Sequence, residues 1–175
     1  MADAVFGVEV VTPEESLIAG GATSVVLATS VGALTVLNGH MPLISDVVPC
    51  QVSVEQPDGT TRRLAVHGGF LQVDTSAGAA EGLAEGDGPF PGLSTRVTVL
   101  AGIAELADVI DVPRAEAAKE AATQRVAQLS SAGGGRGGAS DLPEGAEAPD
   151  LALAAAEAAL ARAELRLSVA SGSSS

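Results

Sequence analysis

Through residue 108, apolar and polar positions alternate in short runs; beyond it, apolar positions recur at helical spacing. Val5 to Val11 is predicted as a strand with Phe6, Val8 and Val10 on one face, ended by Thr12-Pro13-Glu14-Glu15. Leu17 to Ala19 reads as a second short strand, with Gly20-Gly21 as a turn. Thr23 to Ala28 and Ala33 to Leu37 are Val- and Leu-rich strands separated by Ser30-Val31-Gly32, and Asn38-Gly39-His40-Met41-Pro42 is a loop. Val52 to Glu55 and Arg62 to Val66 flank Pro57-Asp58-Gly59-Thr60, which predicts a hairpin. Gly68-Gly69 leads into Phe70 to Val73, and Arg96 to Leu100 is a further strand. Short strands with a turn signal every eight to twelve residues or so predict a β-sandwich or barrel. Asp74 to Thr95, rich in Ala, Gly and acid, is expected to be a flexible loop inserted between two strands that would otherwise form a hairpin.

The period changes at a sharp join. Ile110-Asp111-Val112-Pro113-Arg114-Ala115 opens a segment of helix formers: Asp111 can cap a helix, and Pro113 is tolerated in a first turn. A helix is predicted over 111–129, with Ala115, Ala118, Ala122, Val126 and Leu129 as its apolar stripe. Residues 130–150 are Gly, Ser, Pro and acid and read as a linker. A second helix is predicted over 151–170, with Leu153, Ala156, Leu160, Ala163, Leu167 and Ala170 on a seven-residue seam of alternating large and small residues. The pattern therefore gives an all-β N-terminal domain, a sandwich or a barrel, over 1–108, followed by a pair of helices within a C-terminal domain, 109–175. Alanine seams bury little apolar area, which at about 25 cal/mol per Å² gives a weakly held helix pair, suited to docking and release.

Composition narrows the function. The chain has 175 residues, 46% of them hydrophobic and 2% aromatic, so Val, Leu, Ile and Ala must build the core. A net charge of −13 argues against a nucleic-acid partner, because phosphate binding needs a basic face. The single cysteine, Cys50, leaves no internal disulfide and suits a reducing compartment. The N-terminus lacks the basic and apolar regions of a signal peptide, and no apolar run reaches the length of about 18 residues that spans a bilayer. Two histidines and one cysteine without HExxH or CxxC spacing do not form a metal motif, and no GxSxG nucleophile motif is present. The Gly-rich run 133–138 is no phosphate loop, because no Gly-Lys-Ser/Thr follows it. The chain is not expected to be an enzyme in its own right.

Several runs resemble, in order, the epsilon subunit of bacterial F-type ATP synthase. They are Val10-Val11-Thr12-Pro13-Glu14, then residues 32–43 (Gly-Ala-Leu-Thr-Val-Leu-Asn-Gly-His-Met-Pro-Leu), then Gly68-Gly69-Phe70-Leu71-Gln72-Val73, Val97-Thr98-Val99-Leu100-Ala101 and Ile110-Asp111-Val112-Pro113-Arg114-Ala115. The resemblance implies a sandwich of about ten strands and a two-helix hairpin. It implies a noncatalytic central-stalk subunit whose sandwich binds gamma and touches the c-ring. Its helices would rise along gamma toward the alpha and beta subunits and brake ATP hydrolysis. It further implies ATP synthesis and proton transport as the setting, a peripheral place on the cytoplasmic side of the bacterial cell membrane, and membrane association only through the complex. Insertion 74–95 and linker 130–150 are longer than the family's usual connections. Loop-closure entropy grows by only about 0.6 kcal/mol per doubling of length, so the hairpin still forms. The competing reading is a stand-alone β-sandwich binding module with coiled-coil-forming helices.

Candidate residues follow. Arg114 lies in a first helical turn, where free N–H groups favour phosphate. In some family members the Ile-Asp-x-x-Arg-Ala motif binds ATP without hydrolysing it, together with an acidic residue before it and basic residues on the second helix. The resemblance thereby assigns Glu105, Ile110, Asp111, Arg114, Ala115, Arg162 and Arg166 to a regulatory Mg-ATP site; no cofactor is otherwise required. Arg162 and Arg166 share one helix face at i, i+4, whereas Ala121 stands where the family has a further basic residue. Lys119 and Arg125, with Arg114, Arg162 and Arg166, gather five of the nine basic residues on the helices and would meet an acidic partner loop. His40, Met41 and Pro42 are expected at the rotor-facing edge of the sandwich, with His40 equally suited to a local turn bond. His67 is expected to be structural, and Gly68 and Gly69 to allow close strand packing or a bulge.

Overall fold

The computed structural model describes residues 5–75, 95–132 and 149–172. Ten strands form two sheets: β1 (Phe6–Val11), β2 (Ser16–Ala22), β3 (Ser24–Thr29), β4 (Gly32–Val36), β5 (Leu43–Val47), β6 (Cys50–Glu55), β7 (Thr61–Val66), β8 (Gly69–Thr75), β9 (Thr95–Ala101) and β10 (Ala104–Leu106). A 3-10 turn, Ala107–Val109, then leads to α1 (Val112–Ala132) and α2 (Pro149–Ser171). The first sheet has the order β2-β1-β9-β8-β5 and the second β10-β7-β6-β3-β4. Pairing is antiparallel except between β1 and β9, which run parallel.

The core lies between the sheets and follows the period-2 pattern. Phe6, Val8 and Val10 of β1 meet Val97 and Val99 of β9 and Leu71 and Val73 of β8, facing Val25, Leu27, Val52, Val54, Leu64 and Val66 of the other sheet. Phe6 is the only aromatic among them; branched aliphatics fill the rest, as the composition requires. Cys50 is buried at this core's edge, where burial pushes its thiol above the ordinary cysteine value, partly offset by the Ala28 N–H donated to Sγ at 3.4 Å.

Several elements differ from the sequence reading. Gly20 and Gly21 are not a turn: they sit inside β2, opposite Val8 and Gly7, because strand pairing with β1 outweighs the local preference of a Gly pair. Strands β5 and β10 were not expected. Leu43-Ile44-Ser45-Asp46-Val47 has two adjacent apolar residues that blur the alternation, and β10 is three residues long. Asp74, Thr75 and Thr95 belong to strands, with Asp74↔Arg96 and Thr75↔Thr95 paired, so β8 and β9 do make the expected hairpin ladder. The rest of the expected inserted loop, 76–94, and of the linker, 133–148, lies outside the described residues. Residues 130–132 and 149–150 are helical rather than linker.

Asp111 caps α1 as its sequence position predicts: the Arg114 N–H donates to Oδ1 at 3.0 Å and the Ala115 N–H to the Asp111 carbonyl at 2.9 Å. The helices pack on a narrow seam of Ala115 and Ala122 against Ala156 and Ala163, all buried, with Leu153, Leu160 and Leu167 half-buried beside it. Ala118 is exposed, contrary to the broader stripe expected, because close alanine packing needs only positions seven apart. Lys119 Nζ bridges to Glu164 Oε1 at 3.1 Å across the pair; both are about half exposed, so the bridge contributes little.

Candidate functional site

The two outer faces of the sandwich differ. On the second sheet, Gln51 of β6, Ala65 of β7 and Glu105 of β10 lie side by side and point away from the core. Helix α2 lies across this row. Val169, fully buried, packs with Ala65 and Ile110, and Leu165, Ala170 and Ala107 close around them. This apolar contact is small, so polar groups at its edge weigh heavily in docking. Arg166 supplies the main one: its Nε and Nη2 donate to the same oxygen, Glu105 Oε1, at 2.8 and 2.5 Å. Both side chains keep roughly 30% of their surface exposed. Charge-assisted hydrogen bonds of this kind contribute about 1.5–3 kcal/mol.

His67 stands beside that pair. It continues the alternation of β7, so its ring falls on the outer face with Ala65 while Val66 enters the core. Its backbone N–H donates to the Ile103 carbonyl at 3.0 Å, fixing the turn. The side chain is 4% exposed, and Nε2 lies 3.9 Å from Glu105 Oε1. Among the described residues, neither ring nitrogen has a hydrogen-bond partner, and nor does Gln51 Oε1. Burial, then the Arg166 guanidinium, hold the imidazole below the ordinary histidine value; Glu105 pulls the other way, and Arg162 adds to the lowering.

The structure therefore brings together part of the predicted nucleotide set: Glu105 and Arg166 in direct contact, Arg162 close enough to act on His67, and Ile110 in the apolar cluster beneath α2. Asp111 uses one carboxylate oxygen as the α1 cap, Arg114 is exposed in that first turn, and Ala115 is packed inside the helix pair. Of the predicted partner contacts, Lys119 is engaged with Glu164, and Arg125 is exposed on α1. His40 Nδ1 bonds the neighbouring Met41 carbonyl at 2.8 Å, a local turn bond, while Met41 and Pro42 are exposed. This loop is tied to β9 by the Gly39 N–H, donated to buried Thr95 Oγ1 at 2.9 Å. His67, expected to be structural, is buried on the outward phase of β7, two residues after Ala65.

Among the described residues, no helix lies on the outer face of the first sheet. Asp46, Phe70, Leu100 and Val11 form one row across β5, β8, β9 and β1. Phe70 is 61% exposed, Leu100 47% and Ile44, one diagonal step away, 76%. Phe70 and Leu100 are paired neighbours with Ile44 on the diagonal, and exposed apolar side chains grouped in this way make the face a candidate interaction site.

The comparisons agree with this architecture. The family model for the ATP synthase, Delta/Epsilon chain, beta-sandwich domain matches residues 5–77. The ATP synthase epsilon chain of Thermobifida fusca is 38% identical over 117 residues, covering 66% of this chain and 72% of the relative. The chain belongs to the ATP synthase epsilon chain family. The epsilon chain of Caldanaerobacter subterraneus subsp. tengcongensis is 29% identical across 97% of this chain and 96% of its own length, so the similarity extends through the helices. A subunit in the cryo-electron microscopy structure of Euglena gracilis mitochondrial ATP synthase (OSCP, F1 and c-ring) shares the fold, with TM-score 0.61, 17% identity, and 93% of this chain and 79% of that one covered. As an epsilon chain it is a noncatalytic subunit of a membrane-associated, proton-transporting ATP synthase. No helix among the described residues is long and apolar enough to cross a membrane.

Proposed function

We propose that the chain is a rotor subunit with two working faces. The sandwich, 1–108, binds the gamma subunit and the c-ring through the first sheet. The helices, 109–175, are a regulatory unit that rests on the second sheet and brakes ATP hydrolysis when it leaves and reaches the alpha and beta subunits. The complex would sit at the cytoplasmic side of a bacterial membrane. The observation that carries this reading is the contrast between the faces: one covered by a helix on a small contact, the other exposing Ile44, Phe70 and Leu100. Phe70→Asp leaves the core untouched, because the side chain points outward. It is expected to abolish co-purification with gamma and c while the circular dichroism spectrum of the chain is unchanged. Undiminished co-purification would place the rotor contact elsewhere.

A regulatory Mg-ATP is a second reading, favoured by the placement of Arg162, Arg166, Glu105 and Ile110 at the foot of α1. In this arrangement Glu105 occupies two N–H groups of Arg166, so a nucleotide would have to displace that pairing. Titrating the full chain with Mg-ATP is expected to shift the NMR signals of Glu105 and Arg166 saturably. No shift at millimolar nucleotide removes the reading.

A further inference from the structure

At the helix contact the buried imidazole of His67, with neither ring nitrogen bonded among the described residues, stands between a carboxylate and two guanidiniums. We propose that His67 is a proton switch for the docked tail: the helices stay on the second sheet while the ring is neutral, and a proton on it drives α2 off the sandwich. This rests on the reading of the helices as a movable unit, and it adds what moves them.

The charges around the ring set the direction. Glu105 faces it from β10, and Arg166 and Arg162 act on it from α2. With the tail docked, one carboxylate already stands against two guanidiniums, and its nearer oxygen is taken by Arg166. An imidazolium would compete with Arg166 for Glu105 Oε1 and face both arginines in a site that is 4% exposed at the ring. With the tail away, the same imidazolium has Glu105 to itself and meets solvent. Protonation therefore favours the undocked state, and docking, reciprocally, disfavours protonation.

The sign follows from the depressed value of the docked ring. Its contribution to docking is fully present above the ordinary histidine value of about 6.5 and is lost as pH falls from there through the lower docked value. Across that interval, one proton taken up changes the docked-to-undocked ratio by up to about tenfold per pH unit.

The test is NMR of the full chain from about pH 8 to about pH 5, following the Val169 and Ala65 methyl signals for docking and the two histidine rings for titration. The docked share is expected to fall on acidification with the His67 titration, and to be flat over the same range in His67→Gln. In Arg166→Gln the ring, relieved of a guanidinium, is expected to titrate at higher pH than in the native chain. A docked share that does not change with pH overturns the switch, as does an unaltered fall in His67→Gln. Should His67→Gln fail to dock, the ring titrations decide: equal midpoints in the native chain and Arg166→Gln overturn it. These readouts involve no hydrolysis, so the switch can fail while the braking role stands, or the reverse.

Discussion

Replacing Gly69 with alanine is expected to destabilise the sandwich by about 3 kcal/mol, a large fraction of a typical domain's stability. Gly69 opens β8 and is held on both sides, opposite Val47 of β5 and Ala101 of β9. A Cβ there would overlap the Leu100 carbonyl oxygen and stand 3.0 Å from the Ala101 Cα. Those are backbone atoms in a paired strand, so no side-chain rotation relieves the overlap. Gly68 before it has φ +112°, a conformation that only glycine adopts cheaply, so the turn cannot shift its strain backwards. The chain has no Trp or Tyr, so urea unfolding followed by far-ultraviolet circular dichroism is the measurement. A loss under about 1 kcal/mol would mean that the β8–β9 ladder yields more readily than its registration implies. The same substitution should disturb Phe70 and Leu100, which lie next along that ladder.

Arg166→Gln should release the tail while leaving the sandwich folded. Arg166 makes two of the polar bonds that join α2 to the second sheet, and both end on one oxygen of Glu105. Removing them forfeits about 1.5–3 kcal/mol of charge-assisted bonding and leaves a carboxylate on a partly covered face. The remaining contact, Val169, Leu165 and Ala170 on Ala65, Ala107 and Ile110, is small and half alanine, so it does not replace those bonds. The docking equilibrium should shift by about 10- to 100-fold, read in the native-state hydrogen exchange of α2 against that of β7. Glu105→Gln keeps an acceptor oxygen and should have the milder effect. Unchanged exchange in Arg166→Gln would mean that the apolar cluster alone holds the tail.

Most of the architecture could be read from local pattern. The alternation of Phe6, Val8 and Val10, the Pro57-Asp58-Gly59-Thr60 turn and the Asp111 cap each have a cause within a few residues, and each is where the pattern puts it. The misreadings have causes at longer range. Gly20 and Gly21 are strand residues only because β1 pairs with them, and β10 exists only because β7 offers an edge. The narrow helix seam that leaves Ala118 outside is a property of the pair, not of either helix. The site follows the same division. Family resemblance pointed to Glu105 and Arg166, but their direct bond spans 61 positions of sequence. His67 and the Ile44–Phe70–Leu100 surface gain meaning only once sheet order shows which face each strand turns outward. A single alternating strand does not say which of its faces a helix will cover.

A brake held off by a weak contact on the second sheet is tested most directly by ATP hydrolysis in the reconstituted complex carrying the native chain, Arg166→Gln, or a chain ending at Ile110. Arg166→Gln should hydrolyse several-fold more slowly than native, and the shortened chain at least as fast as native, because freeing the helices applies the brake and removing them abolishes it. Hydrolysis by Arg166→Gln equal to or faster than native, with its helices shown to be undocked, would contradict the claim.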